Sequence, residues 1–244
     1  MRESFHRDGF VLVEGLFDAA ACDRLQALLR RHADADFGAI LNPDRDDFLE
    51  RQSPPEARVH VAETAAALRA AMREPRMVAL LDGLWERPVV GLMSQMLFKE
   101  ANTRYADQAW QPHQDNNYPR SPNNLYVTIN LFLEDADREN GCLYLYPGSH
   151  AEPLLPAPPT VSYRESDGRP GTPVEVPAHY EKRDLIVAKG TMLVMHGNLI
   201  HGSYANRSPD RSRPMLSMSF IPEGEPFVPG ATAQRKVIPL REEL

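Results

Sequence analysis

Residues 125–133, Leu-Tyr-Val-Thr-Ile-Asn-Leu-Phe-Leu, alternate between two kinds of side chain. The odd-numbered positions are all aliphatic, whereas the even-numbered positions include the polar residues Thr128 and Asn130. Because successive side chains of a strand point to opposite faces of a sheet, one face of this strand suits a packed core. The other face suits a partly polar cavity, so the segment predicts a strand that is packed on one side and borders a cavity on the other.

The same period of two continues in short runs from Pro88 onward. Turn residues separate these runs, and no sustained helical pattern interrupts them. The pattern therefore predicts a mainly β region with an antiparallel sheet, closed as a double-sheet jelly roll. Further strands are expected at 89–99, 142–146, 185–188, 191–196 and 213–221.

The first third of the chain predicts helices. Asp18 is a good N-cap for a segment whose apolar residues recur at helical spacing. A second helix is expected at Glu63–Arg73, and Pro75 is placed to open a third. The stretch Asn42–Pro55 between them is charged and contains proline, so we expect a loop there.

The length of 244 residues is sufficient to bury one substantial core. We interpret residues 1–244 as a single domain, with a helical N-terminal part at about 1–87 and a jelly-roll core at about 88–244. Residues 151–179 contain seven prolines, which exclude a regular sheet interior. A long insertion of this kind is either functional, for example a lid, or disordered.

The overall charge argues against a nucleic-acid partner. A formal net charge of −7 gives the chain no basic footprint for a phosphate backbone. Arg207, Arg211 and Arg213 form the main local exception, and so small a cluster suits one anionic group on a small molecule. Cys22 and Cys142 are too few for a disulfide framework, and we expect both to be reduced.

Hydropathy gives no indication of a membrane-associated protein. The N-terminus has no long apolar stretch, and no uncharged apolar segment is long enough to span a bilayer. We therefore expect a cytoplasmic location and no membrane partner. The sequence leaves the choice between a monomer and a homodimer open.

The motif His113-Gln114-Asp115 is the first candidate for chemistry. On an extended strand, residues at i and i+2 point to the same face, so His113 and Asp115 can share a metal while Gln114 turns away. His201, far downstream, completes a set of two histidines and one carboxylate. Such a set leaves metal positions open, which is typical of non-haem Fe(II) oxygenases rather than of structural zinc sites.

Two further polar residues follow His201. Ser203 shares the face of His201 by the period of two. Arg213 begins an alternating segment and is directed to its semi-polar face, where an arginine needs an anion to offset the loss of hydration. A carboxylate bound through two hydrogen bonds would meet that need.

The order and spacing of these pieces resemble the phytanoyl-CoA dioxygenase family of Fe(II)- and 2-oxoglutarate-dependent oxygenases. The resemblance covers roughly residues 90–221. Four motifs carry it: His113-Gln114-Asp115; Asn140-Gly141-Cys142-Leu143; Pro147-Gly148-Ser149-His150; and His201-Gly202-Ser203, followed by Asn206 and Arg213.

The resemblance implies a double-stranded β-helix, the cupin-like form of the jelly roll. In it, His113, Asp115 and His201 would bind Fe(II), with 2-oxoglutarate as co-substrate and O2 as oxidant. The activity implied is hydroxylation, or another oxidation, of a C–H bond in a small molecule, with release of succinate and CO2. Related halogenases lack the metal carboxylate, so the presence of Asp115 favours hydroxylation over halogenation. Desaturation, epoxidation and ring formation stay open.

The resemblance also assigns residues to the co-substrate. Arg213 matches the arginine that grips the far carboxylate of 2-oxoglutarate, and Ser203 would be a second contact. Arg211 is close enough in sequence to compete, but it falls in a turn, whereas Arg213 is expected to begin a strand. Gln95 and Asn130 occupy positions where family members contact the co-substrate.

The residues after the metal motif indicate the kind of substrate. Asn116, Asn117, Tyr118 and Arg120 are expected at the entrance of the site. Their polarity favours a polar or carboxylate-bearing small molecule over a bare hydrocarbon.

Two other classes of function fit the metal residues alone. A divalent-metal hydrolase or isomerase on the same jelly roll would act without O2 or 2-oxoglutarate. A non-catalytic binder could retain the metal site and release no succinate. Arg213 together with Ser203 favours the dioxygenase over both.

Overall fold

The computed structural model describes residues 1–33, 38–159, 171–230 and 233–241. Within these residues the chain forms helices that cover one face of a large sheet, with a small sheet on the other face. The helices are α1 (Arg2–Asp8), α2 (Ala19–Arg30), α3 (Asp46–Gln52), α4 (Val61–Met72) and α5 (Pro75–Trp85). The strands are β1 (Phe10–Val13), β2 (Ala39–Leu41), β3 (Val89–Leu97), β4 (Val127–Phe132), β5 (Leu143–Leu145), β6 (Arg183–Asp184), β7 (Met192–His196), β8 (His201–Ser203) and β9 (Met215–Pro222).

The two sheets confirm the predicted fold class. The large sheet has the strand order β1-β7-β4-β9-β3-β2, the small sheet has the order β6-β5-β8, and the paired strands are antiparallel. Two facing antiparallel sheets with crossed strand order form the double-stranded β-helix, or jelly roll. Strand β4, the alternating segment of the sequence, lies at the centre of the large sheet between β7 and β9.

The two faces of β4 have the two roles that the alternation predicts. Val127, Ile129 and Leu131 are fully buried in a core that also contains apolar residues of α2, α4 and α5. Thr128 and Asn130, on the opposite face, line a cavity between the two sheets. The helices therefore stabilise the large sheet from behind and leave its front free to build a site.

The helical predictions are mostly confirmed. The Asp18 carboxylate accepts a hydrogen bond from the backbone N–H of Ala21 at 2.7 Å and caps α2. Pro75 opens α5, and α4 begins two residues earlier than predicted. Among the described residues, no helix has both the length and the apolar character that crossing a bilayer requires.

The prediction of a loop over Asn42–Pro55 is wrong, because this stretch contains α3. Two aspartates lie in the first turn of α3 and Arg51 in its last turn, an arrangement that complements the helix dipole. Phe48 and Leu49 are buried beneath them. The charges that suggested a loop form the exposed face of a short amphipathic helix.

The N-terminal part also contributes strands that the periodicity did not indicate. Strand β1 pairs with β7 at one edge of the large sheet, and β2 pairs with β3 at the other. Both strands are only three or four residues long, too short for an alternating pattern to stand out.

Other boundaries differ by a few residues from those predicted. The strand predicted at 185–188 is wrong, because the regular strand β6 lies just before it and Val187 forms only a single bridge with Ala136. Strand β9 begins at Met215, so Arg213 lies just before the strand and does not start it. The backbone N–H of Arg213 still bonds to the carbonyl of Lys99, at 3.4 Å, in continuation of the β3–β9 pairing.

The buried face of β4 gives a prediction for stability. Leu131 is fully buried, so Leu131→Ala should lower the free energy of unfolding by about 2–5 kcal/mol through lost packing and a residual cavity. Leu12, on edge strand β1, is 37% exposed, and Leu12→Ala should cost less than about 1 kcal/mol. Urea denaturation of the metal-free protein measures both, and equal losses would contradict the assignment of the core.

Candidate active site

A pair of backbone hydrogen bonds brings the two predicted histidine ligands together. The N–H of His113 donates to the carbonyl of His201 at 2.9 Å, and the N–H of His201 donates to the carbonyl of His113 at 3.0 Å. Residues that are directly opposed in an antiparallel pair project their side chains to the same face. The two imidazole rings accordingly lie with their centres 4.3 Å apart.

Asp115 completes the cluster from a different backbone conformation than predicted. Gln114 is extended, but Asp115 starts a short 3₁₀ turn, so the His-x-Asp motif is not a regular strand. The Asp115 Oδ1 atom lies 3.5 Å from His113 Nε2 and 3.7 Å from His201 Nε2. One donor atom from each residue lies within 4.8 Å of the other two, which confirms that the three residues can hold one metal ion.

Hydrogen bonds to the backbone set the orientation of both histidines. The Nδ1 atom of His113 lies 2.7 Å from the carbonyl of Gln111, and Nδ1 of His201 lies 3.0 Å from the carbonyl of Leu199. Because a carbonyl only accepts, each Nδ1 carries the proton, and in the neutral ring Nε2 then has a free lone pair. Such outer hydrogen bonds are the usual means of orienting metal-ligating histidines.

Burial, together with the neighbouring His113 ring, lowers the pKa of His201 to about 4. His201 is therefore neutral at pH 7, the form that binds a metal.

The Asp115 carboxylate is held in its ionised form. Burial acts to raise its pKa, but the His201 and His113 rings, which become protonated before Asp115 does as the pH falls, and a hydrogen bond from Thr128 outweigh burial, so the pKa of Asp115 lies well below its usual range. The hydroxyl of Thr128 donates to Oδ2 at 2.7 Å, whereas Oδ1 faces the two imidazoles. Two imidazole nitrogens and one carboxylate oxygen form a donor set that fits a divalent transition metal.

The glycine of the His201-Gly202-Ser203 motif has a steric role. A Cβ atom on Gly202 would lie 2.5 Å from the carbonyl oxygen of Trp110, too close for any side chain. The segment that carries His113 packs directly against β8 at this point, and the N–H of Ser203 donates to the same Trp110 carbonyl at 3.0 Å. Glycine therefore permits the close approach that joins the two histidine segments.

Arg213 is directed into the same cavity as the metal residues. It is 1% exposed, and its guanidinium donates to the carbonyl of Gly141 at 3.1 Å and approaches the sulfur of Met215 at 3.4 Å. Burial lowers its pKa to about 10, so it remains charged at pH 7. Gly141 has a φ of +87°, and a Cβ there would meet the backbone of Tyr204 and Asn206. Hence the Asn140-Gly141 motif positions a carbonyl for Arg213.

A second cation is buried beside Arg213. Lys99 is fully buried and donates to the hydroxyl of Ser203 at 2.8 Å and to the carbonyl of Tyr204. Burial, followed by the adjacent Arg213 guanidinium, lowers the pKa of Lys99 well below its usual value. No acidic side chain among the described residues forms an ion pair with Lys99 or Arg213. An anion bound between Ser203 and Arg213 would offset the cost of burying these groups.

The structure distinguishes Arg213 from its competitor. Arg211 is half-exposed at the surface, where it pairs with Asp137 at 2.7 Å and with Glu139 at 2.6 Å. It does not line the cavity, whereas Arg213 does. The side chain of Asn206 holds the turn that leads to Arg211, because it donates to the carbonyls of Lys99 and Arg211 at 2.8 and 2.7 Å.

The cavity between the sheets has a volume of about 610 Å³, within the range of small-molecule sites. Gln95, Ser217 and Asn130 lie side by side on its floor, because Ser217 of β9 is in register with both of the others. The cavity is therefore lined by each of the seven residues that were predicted from the sequence to bind the metal or the co-substrate: His113, Asp115, His201, Arg213, Ser203, Gln95 and Asn130.

The predicted entrance is confirmed in part. Asn117, Tyr118 and Arg120 line the cavity, but Asn116 does not. Asn116 is fully buried, and its side chain bonds to the backbone of Ser121 and to the side chain of Asn198. Its role is to close the turn that follows the metal motif.

The proline-rich stretch lies next to the metal motif where it is described. The amide of Gln114, which turns away from the cluster, bonds to the carbonyl of Pro153 at 3.1 Å and accepts from the N–H of Leu155 at 2.8 Å. Residues 160–170 lie outside the described residues, so a lid over 151–179 stays a prediction.

Sequence reasoning missed two parts of the cavity wall. Trp110 packs against His113, with ring centres 5.6 Å apart, and an aromatic residue so close to the motif was an available signal. The second part is the C-terminal segment, which contributes Val228, Gly230, Ala233 and Arg235. This segment follows no helical or strand period, so the sequence offered no signal for it.

Known proteins resemble this chain in sequence and in fold. The family model for phytanoyl-CoA dioxygenase (PhyH) matches residues 5–215. The chain belongs to the phytanoyl-CoA dioxygenase family. A phytanoyl-CoA dioxygenase of Arabidopsis thaliana is 32% identical over 145 residues, which cover 56% of this chain and 46% of that protein. The chain thus matches about half the length of this plant relative.

Two further likenesses extend over more of the chain. Phytanoyl-CoA dioxygenase domain-containing protein 1 of Mus musculus is 25% identical over 86% of this chain and 85% of its own length. Among solved structures, the epimerase SnoN from nogalamycin biosynthesis superposes with a TM-score of 0.71 at 19% identity, covering 99% of this chain and 94% of its own. At that identity the likeness shows a shared fold.

The hydrogen bond from Thr128 to Asp115 gives a testable prediction. Thr128→Val keeps the shape of the side chain and removes the hydroxyl, so the affinity for Co(II) should fall about 10- to 100-fold. Ser219 lies directly opposite Thr128 on β9, and its hydroxyl contacts the carbonyl of Met93. Ser219→Ala should therefore leave affinity unchanged. Calorimetric titration measures both, and equal affinities for Thr128→Val and the wild type would contradict this role.

Proposed function

We propose that this protein is an Fe(II)- and 2-oxoglutarate-dependent dioxygenase that hydroxylates, or otherwise oxidises, a C–H bond of a small molecule. One observation carries the proposal: a single cavity contains an open set of two histidines and a carboxylate together with a buried arginine that has no acidic partner among the described residues. The first feature fits a redox-active divalent metal, and the second fits the far carboxylate of a dicarboxylic keto acid.

The proposed metal ligands are Nε2 of His113, Oδ1 of Asp115 and Nε2 of His201. Family membership supports Fe(II), and so does the structure of SnoN, which is a complex with Fe3+, alpha ketoglutarate and nogalamycin RO. Arg213 and Ser203 would hold the far carboxylate of 2-oxoglutarate. Gln95 and Asn130, on the cavity floor, would contact the same molecule.

Bound Fe(II) would supply the oxygen chemistry, in which O2, 2-oxoglutarate and a C–H bond give succinate, CO2 and a C–OH group. The protein's own residues would position the reactants. The Arg213 guanidinium fixes one end of the keto acid, and its fork geometry fixes the plane of the carboxylate as well. The apolar part of the wall, including Leu97 and Leu143, limits water near the metal.

Hydroxylation is the outcome that the metal residues favour within this class. The Asp115 carboxylate faces both imidazoles and occupies the position that a halogenase would leave to a halide. SnoN is an epimerase on the same fold. The product must therefore be identified directly, by its mass and by incorporation of oxygen from ¹⁸O2.

The buried cations weigh against the two other classes of function. A hydrolase or isomerase that works through a metal-bound water needs no buried Arg213 and Lys99 beside the metal. A binder that retains only the metal residues would likewise not need them. Keeping two cations away from water is costly unless a ligand compensates, and 2-oxoglutarate is the compensating anion that we propose.

Two neighbouring arginines provide a matched test of co-substrate binding. Arg213→Gln keeps a hydrogen-bond donor and removes the buried charge, so it should weaken 2-oxoglutarate binding about 30-fold or more. Co(II) affinity should be retained. Arg211→Gln removes two surface ion pairs and should change neither affinity. Anaerobic calorimetry with the Co(II)-loaded protein measures both constants, and an Arg211→Gln variant that loses 2-oxoglutarate while Arg213→Gln keeps it would reverse the assignment.

The activity itself is tested by loading the protein anaerobically with Fe(II) and 2-oxoglutarate and then admitting O2 in the presence of a metabolite panel. Substrate-dependent succinate is the expected product, and Asp115→Ala should abolish it because the metal loses its anionic ligand. Asp107→Ala, which removes a surface acid, should retain it. Turnover of a panel compound without O2 or 2-oxoglutarate would instead support the hydrolase or isomerase. Full succinate coupling by Asp115→Ala would remove Asp115 from the ligand set.

A further inference from the structure

The C-terminal segment places an arginine in the wall of the cavity, beyond the residues that the family model matches. Arg235 lines the cavity together with Val228, Gly230 and Ala233, and all four lie beyond residue 215, where the match to the family model ends. The segment is fixed on both sides of Arg235. The N–H of Arg235 donates to the carbonyl of Pro229 at 2.7 Å, and the N–H of Lys236 donates to the carbonyl of Leu92 at 3.0 Å.

The ring of Tyr118 lies near both Arg235 and the metal residue His113. Its guanidinium carbon lies 5.9 Å from the centre of the Tyr118 ring, and that ring centre lies 6.4 Å from the centre of the His113 imidazole. One tyrosine side chain therefore separates the guanidinium from the metal cluster. Tyr118 also offers Arg235 a cation–π contact that keeps the charge beside the cavity.

The guanidinium group of Arg235 has a donor that is not used within the described part of the protein. Its Nε atom is buried and has no hydrogen-bond partner there, and no described acid forms an ion pair with it. Surface arginines of the same chain do have acidic partners, such as Glu225 for Arg87 at 2.6 Å. The amide nitrogen of Asn117, on the same rim, is likewise buried without a partner. Both groups are donors, so they suit a ligand rich in acceptors.

The charge of the cavity is opposite to that of the whole chain. The protein carries a formal charge of −7, yet among the described lining residues Asp115 is the only acid, against Arg120, Arg213 and Arg235. If the proposed function holds, the metal dication and the 2-oxoglutarate dianion cancel, and Asp115 cancels Arg213. Lys99 beside Arg213, the exposed Arg120 and Arg235 then remain without a compensating charge, and of these three only Arg120 and Arg235 are among the described lining residues of the cavity.

We propose that the substrate is a small anion whose carboxylate or phosphate group is bound by Arg235, one tyrosine away from the metal. This inference rests on the proposed function, because the uncompensated charge is counted with metal and 2-oxoglutarate in place. The cavity of about 610 Å³ limits the buried part of the substrate to a small molecule. Arg120, which is exposed at the rim of the cavity, adds a positive electrostatic potential that attracts anions to the cavity. The substrate carbon to be oxidised lies toward the metal, and the anionic group lies toward the C-terminal segment.

The test measures binding to protein loaded with Co(II) and 2-oxoglutarate under anaerobic conditions, so that Arg213 is already engaged. The probes are a series of small carboxylates and phosphate monoesters, each paired with its uncharged amide or alcohol. Anionic members should bind about tenfold or more tightly than their uncharged partners. The carboxylate and phosphate arms show which anion the site prefers.

Three variants assign that preference to Arg235. Arg235→Gln should remove the preference for anions and leave the binding of uncharged probes unchanged, whereas Arg235→Lys should restore part of it. Arg24 lies on the exposed face of α2, so Arg24→Gln makes the same change in net charge away from the cavity and should have no effect.

Equal binding of charged and uncharged probes, no binding of any anionic probe at millimolar concentration, or an unchanged preference in Arg235→Gln would overturn this inference. Binding of Co(II) and 2-oxoglutarate is measured in the same samples. Its absence from the wild type would count against the proposed function, whereas its presence without anion preference would count against Arg235 alone.

Discussion

The reciprocal backbone hydrogen bonds between His113 and His201 are the contact on which the site depends. They join segments that are far apart in sequence and fix the two imidazoles side by side, with Nδ1 of each directed to a backbone carbonyl. Gly202 permits this contact, because any side chain there would collide with the carbonyl of Trp110. Asp115 follows His113 by two residues, and the short 3₁₀ turn that begins at Asp115 places its Oδ1 atom 3.5 and 3.7 Å from the two Nε2 atoms. A change that separated the two segments would remove the metal site as a unit, since no single ligand is positioned independently of the others.

The large sheet gives this arrangement a rigid support. One face of the sheet packs in the core, and the other face lines the cavity. Its rear face is buried against helices, and its front face offers Thr128, Asn130 and neighbouring polar residues to the cavity. Ligands supported by hydrogen bonds on packed strands hold their geometry more closely than ligands on loops. The same front face accommodates the buried cations Arg213 and Lys99, whose desolvation lowers stability unless an anion binds. Ligand binding and stability are therefore coupled in this protein.

The sequence could predict those segments whose pattern of polar and apolar residues matches their exposure in the folded protein. Alternation along β4 predicted both of its faces, and the period of two placed Ser203 with His201. Helix α3 was missed because its charges form an exposed face and only a short apolar face is buried beneath them. Arg235 could not be predicted, because it reaches the cavity through an irregular segment that follows the last strand of the large sheet. Contacts of that kind depend on tertiary packing and leave no periodicity in the sequence.

The most direct measurement is the structure of the protein crystallised anaerobically with Fe(II). One iron ion should be bound by Nε2 of His113, Nε2 of His201 and Oδ1 of Asp115, with both Nδ1 atoms still bonded to the carbonyls of Gln111 and Leu199. Iron bound through Nδ1 of either histidine, or bound with any of the three side chains turned away, would contradict the arrangement described above.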